Sequence, residues 1–365
     1  MSVERSSGSP RWQAAVGLTA LMLVHHFGLW AWTAFHRGFP LIEAVNRWDS
    51  HLYTQIIFNG YADPALRAFL PLYPGVVWLL RAALGGGIPP AAIGCVLSSL
   101  CLLGFAAWVS WRGARQPVSS PLEPRTVWGW FFFLYSPGSF ALHSHHTEGL
   151  FLLLSLGALA CAWDGRVWQA ALFAALCVWA RNQGVLVAIT AALLVARTPG
   201  AWSGRVGRFA AVGGVALASF AGLLLFHERV SGDWLAHMHA QKNWHHADSL
   251  WSAVRGLWFG NEWHRPGWWL GLRNLFAAVW LAGAVMLIRR NWPLGLYGVL
   301  SILIMLPQGD LGNAFRFGSV MFPVLFLVGD WFAERPVWLR WTVALLALWL
   351  NHKVAHSFSI GSWAY

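Results

Sequence analysis

Apolar positions in this chain run in long stretches broken by short polar loops. The first stretch, at about 12–35, follows Arg5 and Arg11. It is too long for the core of a signal peptide and has no small-residue cleavage site after it, so it reads as an uncleaved first span. Further stretches fall near 91–111, 127–142, 149–163, 167–181, 184–197, 209–227, 268–288, 293–307, 316–333 and 338–355. At ~1.5 Å rise per residue, helices of this length approach the ~30 Å of a hydrocarbon layer, which predicts about eleven transmembrane helices.

The polar breaks orient those spans. Arg112, Arg115 and Arg125 share one loop; Arg166, the 197–208 loop, Arg289–Arg290 and Arg335–Arg340 mark others. Cytoplasmic loops collect arginine and lysine, so these loops and the N-terminus are expected inside. Residue 36 then lies outside and residue 112 inside, so residues 37–90 hold an even number of crossings. A helix is predicted over 71–84, but it is short, carries Arg81 and ends at Gly85-Gly86-Gly87. It reads as a juxtamembrane or re-entrant helix in the first outer loop, a conformation tolerated at membrane depth only against protein or a wet cavity. The long outer segments are 36–90 and 228–267. With no internal repeat or linker, residues 1–365 form a single membrane domain.

Composition closes off the soluble alternatives. Charged residues are 11% of the 365 positions and apolar residues 57%, too little charge to cover a water-facing surface. Membrane lipid is therefore one partner. The formal charge of +11 is dispersed over short loops rather than gathered in a stripe, which argues against nucleic acid. Cys95, Cys101, Cys161 and Cys177 all sit in apolar stretches without metal-ligand spacing, and no disulfide is expected.

Carboxylates are scarce, so their placement carries information. Of fourteen, nine fall on the expected outer side, including Glu43, Asp49, Asp63, Glu148 and Asp310. Asn46-Arg47-Trp48-Asp49-Ser50-His51-Leu52-Tyr53 follows the first span. A carboxylate there suits glycosyl transfer, because an acceptor hydroxyl is a poor nucleophile until a positioned base takes its proton. The rival reading is that Asp49 caps a helix or pairs with Arg47. Asp63, before Pro64, is expected to cap the next helix. His143-Ser144-His145-His146-Thr147-Glu148 suggests a metal or proton-transfer site, or interfacial hydrogen bonding at a helix start. No cofactor is required by any motif, and a divalent ion is left open. Arg181-Asn182-Gln183, Gln241 to Trp244, and Arg316 supply the guanidinium and amide groups that a phosphate clamp needs, although arginines anchoring span ends give the same pattern.

Together these residues resemble a family. Arg47-Trp48-Asp49-Ser50, Tyr53 and Gly60-Tyr61, then Phe69-Leu70-Pro71-Leu72-Tyr73-Pro74, resemble the first outer loop of the PIG-V family, the GPI mannosyltransferase II type, and its bacterial relatives. The later order also fits: Pro137, Thr147-Glu148, Arg181 to Gly184, Gln241 to Trp244, then Arg316-Phe317 and Phe322-Pro323. Two positions depart from the pattern, His146 and Phe317, where tyrosine is usual.

The resemblance implies a GT-C glycosyltransferase: a multi-span helical bundle that takes sugar, mannose in this family, from a polyprenyl- or dolichyl-phosphate donor. Transfer to a glycan or glycolipid acceptor would invert the anomeric centre. It implies Asp49 as catalytic base, with Arg47, Trp48, Tyr53, Glu148, Arg181, Gln241, Trp244 and Arg316 in substrate binding. Apart from Lys242 and Lys353 every side-chain cation is arginine and there is no N-x-S/T acceptor, which leans towards the inner membrane of a bacterium; in a eukaryote the endoplasmic reticulum membrane is expected. Competing functions are a transporter or flippase, and a non-catalytic subunit that binds a lipid-linked glycan.

Overall fold

The computed structural model describes residues 9–115, 120–244, 247, 249–259, 268–309 and 311–362. Among them the regular structure is entirely helical. The long helix α1 (Ser9–Arg37) leads into the first connecting segment, which holds α2 (Leu41–Val45), α3 (Asp49–Asn59), a 3-10 turn (Pro64–Ala68) and α4 (Leu72–Ala83). The bundle continues with α5 (Pro90–Arg115), α6 (Val127–Leu134), α7 (Glu148–Trp163), α8 (Val167–Ala180), α9 (Gln183–Ala196) and α10 (Trp202–Ser231). After these come the short α11 (Ala236–Gln241) and α12 (Leu250–Phe259), then α13 (Trp268–Arg290), α14 (Trp292–Leu303), α15 (Ala314–Ser319), α16 (Phe322–Ala333) and α17 (Val337–Ser359).

Among the described residues four helices are long and apolar enough to cross a membrane: residues 13–37, 90–115, 202–231 and 269–290. Several other expected spans are shorter apolar helices packed inside the protein; α7 buries nearly every residue from Glu148 to Ala162. Small side chains set the spacing there. A Cβ on Gly157 would stand 2.7 Å from the Phe173 ring of α8, and Ala158, Ala170, Ala174, Ala188 and Ala191 are all buried. Helices without a hydrophobic drive to associate in lipid gain from such close approach.

Two expected spans are broken, a correction to the hydropathy reading. The stretch 127–142 is helical only to Leu134; Ser136-Pro137-Gly138 then turns into a 3-10 segment, Ser139–Leu142. A Cβ on Gly138 would lie 2.0 Å from the Phe315 carbonyl oxygen, so only glycine lets this turn touch α15. The stretch 316–333 is split at Val320–Met321 into α15 and α16, where Pro323 sits in the first turn of α16 and supplies no backbone N–H to a helix running through. The short helix expected over 71–84 is α4, which ends before Gly85 and Gly86 at φ +81° and +76°. Asp63 caps the 3-10 turn, its carboxylate accepting from the Ala65 N–H at 2.9 Å.

α5 and α7 run parallel, so their ends sort the connections into two groups. At one end Arg112 of α5, 2% exposed, pairs with Asp164 after α7 and at 2.9 Å with Glu123. Nearby, Asp330 of α16 accepts from the backbone N–H groups of Arg125 and Thr126 at 2.8 and 2.9 Å. The opposite end carries the starts of α3, α5, α7 and α9 and the end of α8, and the cavity described below opens there.

Candidate active site

Asp49 is the first residue of α3 because the chain turns sharply just before it. Trp48 is the only described non-glycine residue at positive φ, +52°. Such a conformation costs a bulky residue ~1–3 kcal/mol and persists only where its surroundings fix it. Here the indole N–H donates to the Ser362 carbonyl at 3.0 Å, tying the turn to the far end of the chain. Glu148 is likewise the first residue of α7, so both carboxylates sit at helix N-termini, where the macrodipole favours negative charge.

Two arginines join those acids. Arg181 leaves α8 in an extended conformation, and Arg316 projects from α15. Arg316 pairs with Asp49 through one terminal nitrogen, while its Nε stands 3.0 Å from Glu148 Oε1; the same oxygen pairs with Arg181. The result is a chain, Asp49–Arg316–Glu148–Arg181, of formal charge zero. Phe317 lies 4.8 Å from the Arg181 guanidinium and 5.7 Å from that of Arg316, so the aromatic ring serves both as a cation-π face. Glu148 is 1% exposed and Arg181 7%. Burying such charges is costly and seldom stabilises a protein more than apolar packing would, so the cluster points to function.

A cavity of about 380 Å³ opens beside this chain. Asp49, Tyr53, Arg181 and Arg316 form one part of its wall, and the carboxamides of Asn182, Gln183, Gln241 and Asn313 another. Phe69, Leu70, Met238, Ile304 and Phe317 supply an apolar part. The segment after α10 is hooked over the 3-10 turn of the first connection: Gln241 donates to the Ala68 carbonyl at 3.0 Å, and His237 Nδ1 donates to that of Arg67 at 3.1 Å. His237 Nε2 meets the Asn182 carboxamide at 2.8 Å, and burial pushes this imidazole down to about 4.

The three clustered histidines turn to different partners. His143 Nε2 meets His26 Nδ1 at 2.7 Å, His145 Nδ1 meets the Tyr73 hydroxyl at 3.0 Å, and His146 Nδ1 meets Ser144 Oγ at 2.8 Å and Ser50 Oγ at 3.2 Å. Burial lowers all three, His145 to about 3. Among the described residues no group of three or more His, Cys, Asp or Glu is arranged to hold a metal ion. The cysteines are buried and free.

Of the residues marked by sequence, Asp49, Tyr53, Arg181, Gln241 and Arg316 line the cavity, and Glu148 lies buried behind the two arginines. Arg47 and Trp48 do not line it. Arg47 stacks 5.0 Å from the Phe39 ring and stands 3.8 Å from Glu43 on the next turn, so α2 claims it; Trp48 is held by Ser362. The Trp244 side chain lies outside the described residues. Asn182 and Gln183, marked in sequence as amide groups beside Arg181, line the cavity too; His237 and Asn313 line it without any sequence signal. No protein-family model, curated protein or solved structure matches this chain.

Proposed function

We propose that this chain is an integral membrane glycosyltransferase of the GT-C type, with about eleven spans, in which Asp49 is the catalytic base. One observation carries the reading: Asp49 stands in the wall of a cavity whose lining also includes the amide residues Asn182, Gln183, Gln241 and Asn313, the arginines Arg181 and Arg316, and an apolar set. Carboxamides offer both donor and acceptor to sugar hydroxyls, guanidiniums suit phosphate, and the apolar face suits an isoprenoid chain. The donor is a polyprenyl- or dolichyl-phosphate sugar, mannose on the strength of the first-loop resemblance to the PIG-V family. The acceptor is a glycan or glycolipid reached from the outer face.

In the reaction Asp49 takes the proton of the acceptor hydroxyl as its oxygen bonds to the anomeric carbon. The bond from that carbon to the donor phosphate oxygen breaks on the opposite face, so the centre inverts and polyprenyl phosphate leaves with the electron pair. Arg316 ties the base to Glu148, so the carboxylate is oriented before the acceptor arrives.

Purified protein given polyprenyl-phosphate-[³H]mannose and membrane extract as acceptor source is expected to release free polyprenyl phosphate and move an equal amount of label into the extract. A donor that stays intact with every extract, while labelled lipid crosses the bilayer of reconstituted vesicles, would replace this reading with a flippase.

A further inference from the structure

The start of α9 combines two features that point to a particular ligand group. Asn182, the residue before it, makes no side-chain cap; its carboxamide is instead spent on His237. The first N–H groups of a helix have no intrahelical acceptor, and the macrodipole adds partial positive charge, so an uncapped N-terminus facing a cavity attracts an anion.

The second feature is Gln183, the first residue of α9. Its side chain is 1% exposed and lines the cavity. Arg181 Nε donates to Gln183 Oε1 at 3.3 Å. Arginine has no acceptor, so the carboxamide oxygen must face Arg181 and the NH₂ must point away. That NH₂ is buried and has no hydrogen-bond partner among the described residues. A buried donor left unsatisfied is costly, and such groups are rare in folded proteins unless a ligand completes them. The backbone fixes the arrangement: a Cβ on Gly184 would lie 1.9 Å from the Cys177 carbonyl oxygen, so the turn from α8 into α9 has no room to adjust.

We infer that the N-terminus of α9, with the Gln183 NH₂ and the Arg181 guanidinium, is a seat for the phosphate of a polyprenyl phosphate. This rests on the transfer reading above and deepens it, moving the main phosphate contact from Arg316 to the α8–α9 turn. Arg316 is already shared by Asp49 and Glu148, whereas the Gln183 NH₂ is an unspent donor on the cavity wall. A lipid phosphate fits better than a free one because Phe69, Leu70 and Ile304 line the same cavity.

Two variants of the full-length protein separate the seat from the scaffold. Gln183→Glu keeps the volume and the acceptor for Arg181 but replaces the donor with a carboxylate oxygen; Gln183→Met removes both. Affinity for a polyprenyl phosphate and for the matching polyprenol is measured in nanodiscs, beside the unfolding temperature of each variant. Both variants are expected to bind the phosphate about ten- to hundredfold more weakly, the range for a lost hydrogen bond to a charged group, with polyprenol binding unchanged. Should Gln183→Met unfold, Gln183→Glu decides. Wild-type affinity for the phosphate in Gln183→Glu, or an equal loss for phosphate and polyprenol, overturns the seat but leaves the transfer reading standing. A wild-type protein that fails to distinguish phosphate from alcohol overturns both.

Discussion

Glu148 gives the sharpest expectation, because one perturbation there should move two measurements in opposite directions. Its carboxylate is 1% exposed and serves two guanidiniums, Arg181 and Arg316. Glu148→Gln keeps size and one acceptor oxygen but leaves two buried cations with Asp49 as the only remaining acid of the four-charge chain. Removing one partner of a buried ion pair costs ~3–5 kcal/mol; because the amide still accepts a hydrogen bond, the lower end, about 3 kcal/mol, is expected. The unfolding temperature should fall accordingly. Anion binding should respond the other way, since Glu148 competes with an incoming phosphate for the same guanidiniums. A charge about 6 Å away at an effective dielectric of about 20 contributes ~2–3 kcal/mol, so polyprenyl phosphate should bind tens- to a hundredfold more tightly to Glu148→Gln. Thermal unfolding in detergent and lipid-phosphate titration in nanodiscs give the two numbers. Unchanged or weakened phosphate binding in a destabilised variant would refute the idea that Glu148 holds these arginines for an anion.

Three further outcomes are expected. Arg316→Lys keeps the charge but cannot reach Asp49 and Glu148 with two arms of a planar fork; transfer should slow by about tenfold or more, with donor binding changed less, and single-turnover rates against donor titration would separate the two. Gly94→Ala should destabilise the protein by several kcal/mol, because the added Cβ would lie 1.9 Å from His145 Nδ1 and 2.6 Å from the Tyr73 hydroxyl; a wild-type unfolding temperature would show that the histidine turn is not packed as described. His237 is held neutral in the folded protein, down at about 4, whereas its unfolded value is near 6.5. Below pH 6.5 the unfolded chain takes up a proton that the folded one refuses, so the stability from this residue is full above that pH and is lost as pH falls towards 4. Protease nicking around α11 should therefore rise over that window and lose its pH dependence in His237→Gln; the same dependence in the variant would assign it to another group.

Much of the helical layout was legible because apolar stretches and arginine loops are local signals. The loops expected on one side, around Arg112 and Arg125, do meet at one end of the bundle, through Asp164 and Asp330. The breaks at Pro137-Gly138 and before Pro323 were missed because hydropathy averages over a window and ignores a missing N–H. The site was legible only in part. Asp49 and Arg316 were each marked by composition and resemblance, but their pairing spans 267 positions and leaves no local trace. Arg47, only two positions before Asp49 in sequence, belongs to Phe39 and Glu43 instead. Gln183 was marked as one amide beside Arg181, but which way its carboxamide faces is fixed only by the Arg181 Nε beside it.

The central claim is that Asp49 removes the acceptor's proton, and Asp49→Asn tests it most directly. The amide keeps the size of the side chain and a hydrogen bond to Arg316 but is no base at neutral pH. Transfer from polyprenyl-phosphate-mannose by purified wild type and Asp49→Asn should be compared at saturating donor, with donor affinity measured separately and Asp63→Asn as the control, in which the amide oxygen still accepts from the Ala65 N–H, so that stability and transfer both stay near wild type. General-base assistance is worth ~10²–10⁴-fold, so Asp49→Asn should bind donor and transfer at least about a hundredfold more slowly. Equal transfer rates for wild type and a folded Asp49→Asn would contradict the claim.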